Sequence, residues 1–325
     1  RSLSGGAKIE MSCPKSAYAG VSFACDVVIK NMEPSQLPGR ELESAFSTMV
    51  LSSGIGSEQS GKTIFLQRGQ YRISVTSNRK GDVRIDLLFL HNKFGVSQFV
   101  KIKYQEPSLD ASDIVCDNKT AVRVGTKLHC TVSLRDRYDN LRGTALETST
   151  IGVQGSTGSG ADQLAEHITF GGEGTYFATF SPKVPGLMQF QAFYKSDSFK
   201  KSTVSLTVLP GEASLTTSKI ECPAKVLGSA PANCVINARD SEDNPTDYGV
   251  EGLFLSDVFG PSGCVATQIR PGKIFGKYHL SFSPRIAGEF NVTVGRYSTT
   301  IQSAPSDTKP EKSDAYCSES VQYAG

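Results

Sequence analysis

Short runs of alternating apolar and polar residues recur along this chain, and each is closed by Gly, Pro, Asn or Asp. Alternation with a period of two is the mark of a half-buried strand. Lys127 to Leu134 reads this way and is followed by the turn-rich Arg135-Asp136-Arg137-Tyr138-Asp139-Asn140. Gly174-Thr175-Tyr176-Phe177-Ala178-Thr179-Phe180 is an aromatic strand, and Leu187 to Tyr194 and Val204 to Leu209 are two more. The same succession returns about a hundred residues later. Asn233 to Ala238 is the early strand, Arg239 to Pro245 the turn, Gly276 to Phe282 the aromatic strand, and Gly288 to Val294 the late one. Earlier in the chain, Gly69 to Val75 and Val83 to Phe89 are equivalent strands. No segment carries a long 3.6-residue period. The Gly/Ser/Thr-rich stretch Gly152 to Gly160 predicts an exposed loop. Gly252 to Phe259, continuously apolar apart from Ser256 and Asp257, predicts a strand buried on both sides.

Cysteines set the period. Cys13, Cys116, Cys222 and Cys317 stand 103, 106 and 95 residues apart, and the first three are followed by Cys25, Cys130 and Cys234 at separations of 12, 14 and 12. A period near one hundred residues implies an array of similar domains. The predicted divisions are domain 1 at 1-106, domain 2 at 107-210, domain 3 at 211-304, and a linker with the start of a truncated fourth repeat at 305-325. Zinc sites use closely spaced ligand pairs, and there is no CxxC and only four His. Recurrent pairing at constant separation instead predicts disulfides Cys13–Cys25, Cys116–Cys130 and Cys222–Cys234, and hence an oxidising compartment. Cys317 takes the first-cysteine position of the fourth repeat, so its partner is expected beyond Gly325. Cys264 has no mate by this pattern, with Cys264–Cys317 as the other pairing.

Charge is balanced, with 34 Lys+Arg against 32 Asp+Glu, which argues against a nucleic-acid surface. No run of 18 apolar residues exists, so no membrane insertion by this segment is expected. The chain opens at Arg1 without Met or a signal peptide and closes inside a repeat, and is read as a piece of a longer protein. Candidate chemistry is sparse. The oxygens of Asp136, Asp139 and Asn140, and of Asp240, Asp243 and Asn244, would suit calcium between domains. The second repeat has no acidic cluster at its linker, so these residues are read as turns bonding their own backbone. His91, His129, His167 and His279 follow no nucleophile or metal pattern, with His129 and His279 pointing outward. The short basic clusters Arg79-Lys80, Lys101/Lys103 and Lys200-Lys201 are read as charge protecting strand edges. Asn118-Lys119-Thr120 and Asn291-Val292-Thr293 are N-glycosylation sequons. No catalytic residue, metal or cofactor is expected.

About seven short strands per hundred residues predict an antiparallel sandwich. Two features add a resemblance to the filamin-type immunoglobulin-like repeat. One is a Gly-x-Tyr strand followed by Ser-Pro and Gly: Gly174, Tyr176, Ser181-Pro182 and Gly186, then Gly276, Tyr278, Ser283-Pro284 and Gly288. The other is an Asp-x-x-x-Asn turn, at Asp136/Asn140 and Asp240/Asn244. In repeat one, Lys30-Asn31-Met32-Glu33-Pro34 stands for the turn and Ser77-Asn78 for Ser-Pro. The fold implied is all-β, a tandem array of immunoglobulin-like (filamin-type) β-sandwich domains. Filamin repeats of actin crosslinkers are cytoplasmic and need no regular disulfides. The repeat also occurs in ectodomains of plant, algal and protist gamete adhesion proteins, and the paired cysteines favour that branch. The resemblance therefore implies a non-enzymatic, extracellular adhesion fragment. Its parent would be membrane-anchored and its protein partner would sit on an opposing cell surface, as in gamete attachment. The alternatives are a cytoskeletal crosslinker with reduced cysteines, or accessory modules of a larger secreted enzyme.

Overall fold

The computed structural model describes residues 6–52, 62–117, 120–158, 160, 162–201, 204–228, 230–250 and 253–305, and the backbone alone of 55–59. Cys317 and Asn118 lie outside the described residues. The described strands build three β-sandwiches in succession, each around its own hydrophobic cluster.

Repeat two shows the plan. One sheet runs Asp113–Cys116, Leu128–Ser133, Thr175–Phe180, His167–Gly172. The facing sheet runs Ala121–Arg123, Val204–Leu209, Gly186–Tyr194, Ile151–Thr157, Asp162–Leu164, with Asp197–Ser198 paired beside Gly186–Tyr194. Alternation places Leu128, Cys130 and Val132 inward with Tyr176, Ala178 and Phe180. Met188, Phe190 and Ala192 meet them from the other sheet, and the Phe180 and Phe190 rings lie 5.0 Å apart. Repeats one and three have the same two-sheet order.

The disulfides Cys13–Cys25, Cys116–Cys130 and Cys222–Cys234 all form. Each joins the first strand region of its repeat to the neighbouring strand of the same sheet. Cys116 and Cys130 face each other directly in the ladder. Between the cysteines the chain does something that the alternation did not reveal. It leaves that sheet and adds a three-residue strand to the opposite one: Ser16–Tyr18, Ala121–Arg123 and Lys225–Leu227, each parallel to the last strand of its repeat. Three residues are too few to show a period.

The Gly-x-Tyr feature also has a local cause. Gly174 has φ +82°, and a Cβ there would overlap the backbone of Arg142. Its carbonyl accepts the N–H of Leu134, so the strand start locks onto the end of its neighbour. Gly69 and Gly276 receive Ile29 N–H and Ala238 N–H in the same way. Tyr176 then fills the core, with its hydroxyl donating to Thr144 O at 3.1 Å, and Tyr71 donates to Gly39 O at 2.7 Å. Burial pushes both phenols up to about 12.

Three expectations are corrected. Residues 152–157 are not loop but part of the strand Ile151–Thr157, paired along its length with Gly186–Tyr194. Gly155 is small because Met188 and Phe190 occupy the space where its side chain would be. Residues 253–259 are not buried on both sides, and Gly252 lies outside the described residues. Phe254 and Val258 enter the core while Leu255 and Phe259 are 59% and 53% exposed. The basic clusters do not guard edges. Lys101 and Lys103 sit on Asn92–Lys103, which has a strand on either side, and Arg79-Lys80 and Lys200-Lys201 lie between strands.

Replacing Cys116 and Cys130 together by Ser removes a crosslink worth about 3 kcal/mol for a loop of this size. The melting transition of repeat two should then fall by on the order of 10–20 °C in differential scanning calorimetry, with those of repeats one and three unchanged.

Candidate functional site

The Asp-x-x-x-Asn turns and the Ser-Pro loops, separate features in the sequence, are two halves of one joint between repeats. Asp136 is fully buried. Its Oδ1 accepts the backbone N–H of Tyr138 at 2.9 Å and of Asn140 at 3.1 Å, and both oxygens receive the Asn140 amide. The turn needs Asp139 at φ +68°, a conformation that Asp tolerates. The other oxygen accepts Gln105 N–H from the linker at 3.0 Å. Asn140 then reaches back into repeat one. It donates to Asn78 O at 2.8 Å and accepts Lys80 N–H at 2.9 Å. Gln105 donates to Ala19 O at 2.6 Å, and the Tyr138 ring covers Gly20 so closely that a Cβ there would overlap it. Lys80 pairs with Glu173 at 3.4 Å, and Arg142 with linker residue Glu106 at 3.6 Å.

The second joint repeats the device. Asp240, also fully buried, accepts Glu242 and Asn244 N–H within its turn and Gly211 N–H from the linker at 2.8 Å. Asn244 donates to Lys183 O at 2.9 Å. Equivalence of the two joints sets the register of the receiving loops. Ser77 O and Pro182 O accept Gly20 and Gly125 N–H, while Asn78 O and Lys183 O accept the asparagine. Thr76-Ser77, rather than Ser77-Asn78, therefore stands where repeat two has Ser181-Pro182. Lys80 corresponds to Pro185, which has no N–H to return to Asn244. In place of that bond the Arg123 guanidinium stacks 3.5 Å from the Tyr248 ring centre and donates to Pro210 O at 3.0 Å.

These bonds bear on the calcium question. The oxygens of Asp136 and Asp240 are engaged by N–H donors of the turns and linkers, while the exposed Asp139 and Asp243 lie against Arg135 at 3.4 Å and Arg239 at 3.5 Å. Among the described residues no group of three or more His, Cys, Asp or Glu could hold a metal. His129 and His279 point outward from their strands, and His129 and His167 both lie opposite Thr179.

The other predicted site residues are dispersed. Asn291 projects to solvent from Gly288–Val294 between the buried Phe290 and Val292, and its Oδ1 accepts the Thr300 hydroxyl at 3.2 Å. Cys264 lies outside the three disulfides. It is half-buried in the edge strand Gly263–Val265 and lines an open cleft of about 570 Å³ with Phe282, Arg285 and Phe290. No helix among the described residues is long and apolar enough to cross a membrane.

Three carboxyls are held below the ordinary range: the surface Glu10, by Lys30 and Lys8, and the buried Asp136 and Asp86. Burial raises the Asp136 carboxyl, but the hydrogen bonds from Gln105, Asn140 and Tyr138 outweigh it and hold it below the ordinary range. Asp86, on repeat one, is likewise raised by burial and then pulled below that range by Lys93 at 2.8 Å, Ser97 at 2.6 Å and Arg84 at 3.1 Å. A depressed folded pKa contributes stability that is complete above the unfolded value, about 3.9 for Asp, and is lost as pH falls through the folded one. Thermal melts should therefore hold steady from pH 7 to about 5 and fall below about 4, with Asp136→Asn showing a shallower acid loss. Asn140→Ala should widen the distribution of angles between repeats one and two in small-angle scattering. Asn244→Ala should have the smaller effect at its joint, since Asn244 makes one inter-repeat bond where Asn140 makes two.

No protein-family model and no curated protein matches the chain. Among solved structures it is similar to the Escherichia coli adhesin FdeC, at 15% identity and a TM-score of 0.52 over 92% of this chain and 96% of that one. Invasin, a bacterial integrin-binding protein, aligns at 14% identity and a TM-score of 0.43 over 92% and 60% of the two chains. The Lin-41 filamin domain aligns at 18% identity and a TM-score of 0.27, covering 33% of this chain and all of that domain. The FdeC likeness is one of fold, and it agrees with the strand order above: an all-β tandem array of immunoglobulin-like sandwich domains.

Proposed function

We propose that the chain is a non-enzymatic, extracellular segment of a cell-surface adhesion protein, with repeats at 1-106, 107-210 and 211-304 and the opening of a fourth from 305. Its parent is membrane-anchored, and its protein partner lies on an opposing cell. The observation that carries the reading is the joint. The same buried carboxylate ties turn, linker and preceding repeat together twice in succession. A jointed rod of this kind holds a binding face away from the membrane and limits its swing, which lowers the ordering cost of engagement. The three disulfides support an oxidising location. The adhesin FdeC offers a precedent for such an array, the resemblance being in fold. Exposed sheet edges are the natural places for strand-addition contacts, and the sequons at Asn118 and Asn291 are the glycan attachment points. Gamete attachment is the setting proposed.

Two measurements test this. Thiol titration of the denatured, unreduced protein should find six of the eight cysteines blocked, and eight titratable thiols would overturn the extracellular reading. In gametes of the source organism, loss of the protein should reduce attachment to the opposite gamete, and unaltered attachment removes the proposed setting.

A further inference from the structure

Three repeats of one fold present the same sheet face three times, so their outward residues can be compared position by position. The face belongs to the sheet that carries the first strand. Its rows are set by register and by the shared bond from the second strand's end to the Gly-x-Tyr glycine. One row reads Glu10–Val28–Gln70 in repeat one, Asp113–Ser133–Thr175 in repeat two and Lys219–Asn237–Lys277 in repeat three. Where the first two repeats place a carboxylate, the third places a lysine, with a second lysine across the row. The next row in repeat three reads Glu221–Val235–His279–Arg270.

The charges are handled differently as well. In repeat one, Glu10 pairs with Lys8 and Lys30, and Asp26 with Arg72 at 2.8 Å. In repeat two the corresponding row is Val115–Thr131–Phe177–Thr169, without charge. In repeat three, Lys219, Arg270, Lys273 and Lys277 are all exposed, and none is in an ion pair among the described residues. Glu221 is the one carboxylate on these rows, and Asn237 donates to it at 3.4 Å. Asp247 is turned to Gly276 N–H and the Tyr278 hydroxyl.

The face is also shaped. A groove of about 590 Å³ runs along it, lined by Val235, Pro271 and Ile274 together with Arg270, Lys273 and Lys277. The hairpin tip beside it exposes Ile274 by 61% and Phe275 by 55%. Exposed apolar side chains beside unpaired cations describe an interface with a polar rim and an apolar anchor.

We infer that this face of repeat three binds an acidic segment of a partner protein, with carboxylates on Lys219, Arg270, Lys273 and Lys277 and an apolar side chain against Ile274 and Phe275. The inference rests on the adhesive reading only in taking the partner to be a protein. Charge complementarity selects the sign of the partner, and the apolar tip selects a peptide over a purely anionic polymer.

The test uses the whole chain and a fluorescein-labelled soluble peptide of Glu and Leu residues in fluorescence anisotropy. Saturable binding should weaken by about tenfold or more in Lys219→Glu/Lys277→Glu, and severalfold in Ile274→Ser/Phe275→Ser. It should stay the same in Lys101→Glu/Lys103→Glu, which changes net charge equally on repeat one. All substituted positions are exposed, and unchanged melting midpoints verify the fold. Equal affinity in the repeat-three variants and the control overturns the assignment. So does binding indifferent to the apolar pair, or binding of heparin oligosaccharide or phosphatidylserine vesicles without binding of the peptide. None of these outcomes bears on the thiol titration or on gamete attachment, so the face and the adhesive reading fail separately.

Discussion

A fully buried carboxylate, Asp136 in one repeat and Asp240 in the next, is the constraint around which the rest of the molecule is arranged. An ionised carboxylate out of contact with water is costly unless its lone pairs are filled. Each of these two is filled partly by its own turn and partly by the linker before it. Turn closure and linker position are thereby one event. The asparagine four residues later inherits its orientation from that carboxylate and passes it to the preceding repeat. Each joint therefore combines charge-assisted bonds from a buried carboxylate with an aromatic contact, Tyr138 against Gly20 at the first and Arg123 over Tyr248 at the second.

The disulfides act at the other delicate place. Between the paired cysteines the chain must abandon one sheet and join the other. The three-residue strand that does so has little pairing of its own. A crosslink across the departure point limits how far the unfolded chain can spread around it. That location explains why the pairs recur at nearly constant separation: the loop length is the distance needed to cross the sandwich and return. At the far ends of the same strands, Gly174 and its equivalents secure the second strand to the aromatic one. Each module is thus fixed at both ends, with the core of tyrosine and phenylalanine between.

The sheet faces, by contrast, are free to differ. Repeat one pairs its outward charges, repeat two carries a single carboxylate, Asp113, on the same two rows, and repeat three leaves four cations exposed. Conserving joints and cores while varying one face is how an array can assign recognition to one module and reach to the others.

The amino-acid sequence by itself determined the strand succession, the period, the cysteine pairs and the glycine positions, because each depends on residues near one another in the chain and on a period of two. Leu128 to Ser133 and Gly288 to Val294 were legible for that reason. It could not reveal that residues 152–157 form a strand. Their small side chains are explained only by Met188 and Phe190 from a distant strand. Nor could it join Asn140 to Asn78 or Lys80, sixty residues away, or line up Lys219 with Lys277. Those relations were decided by tertiary structure alone. Neighbourhood across a sheet or a joint is set by how whole elements pack, and local propensity carries no record of it.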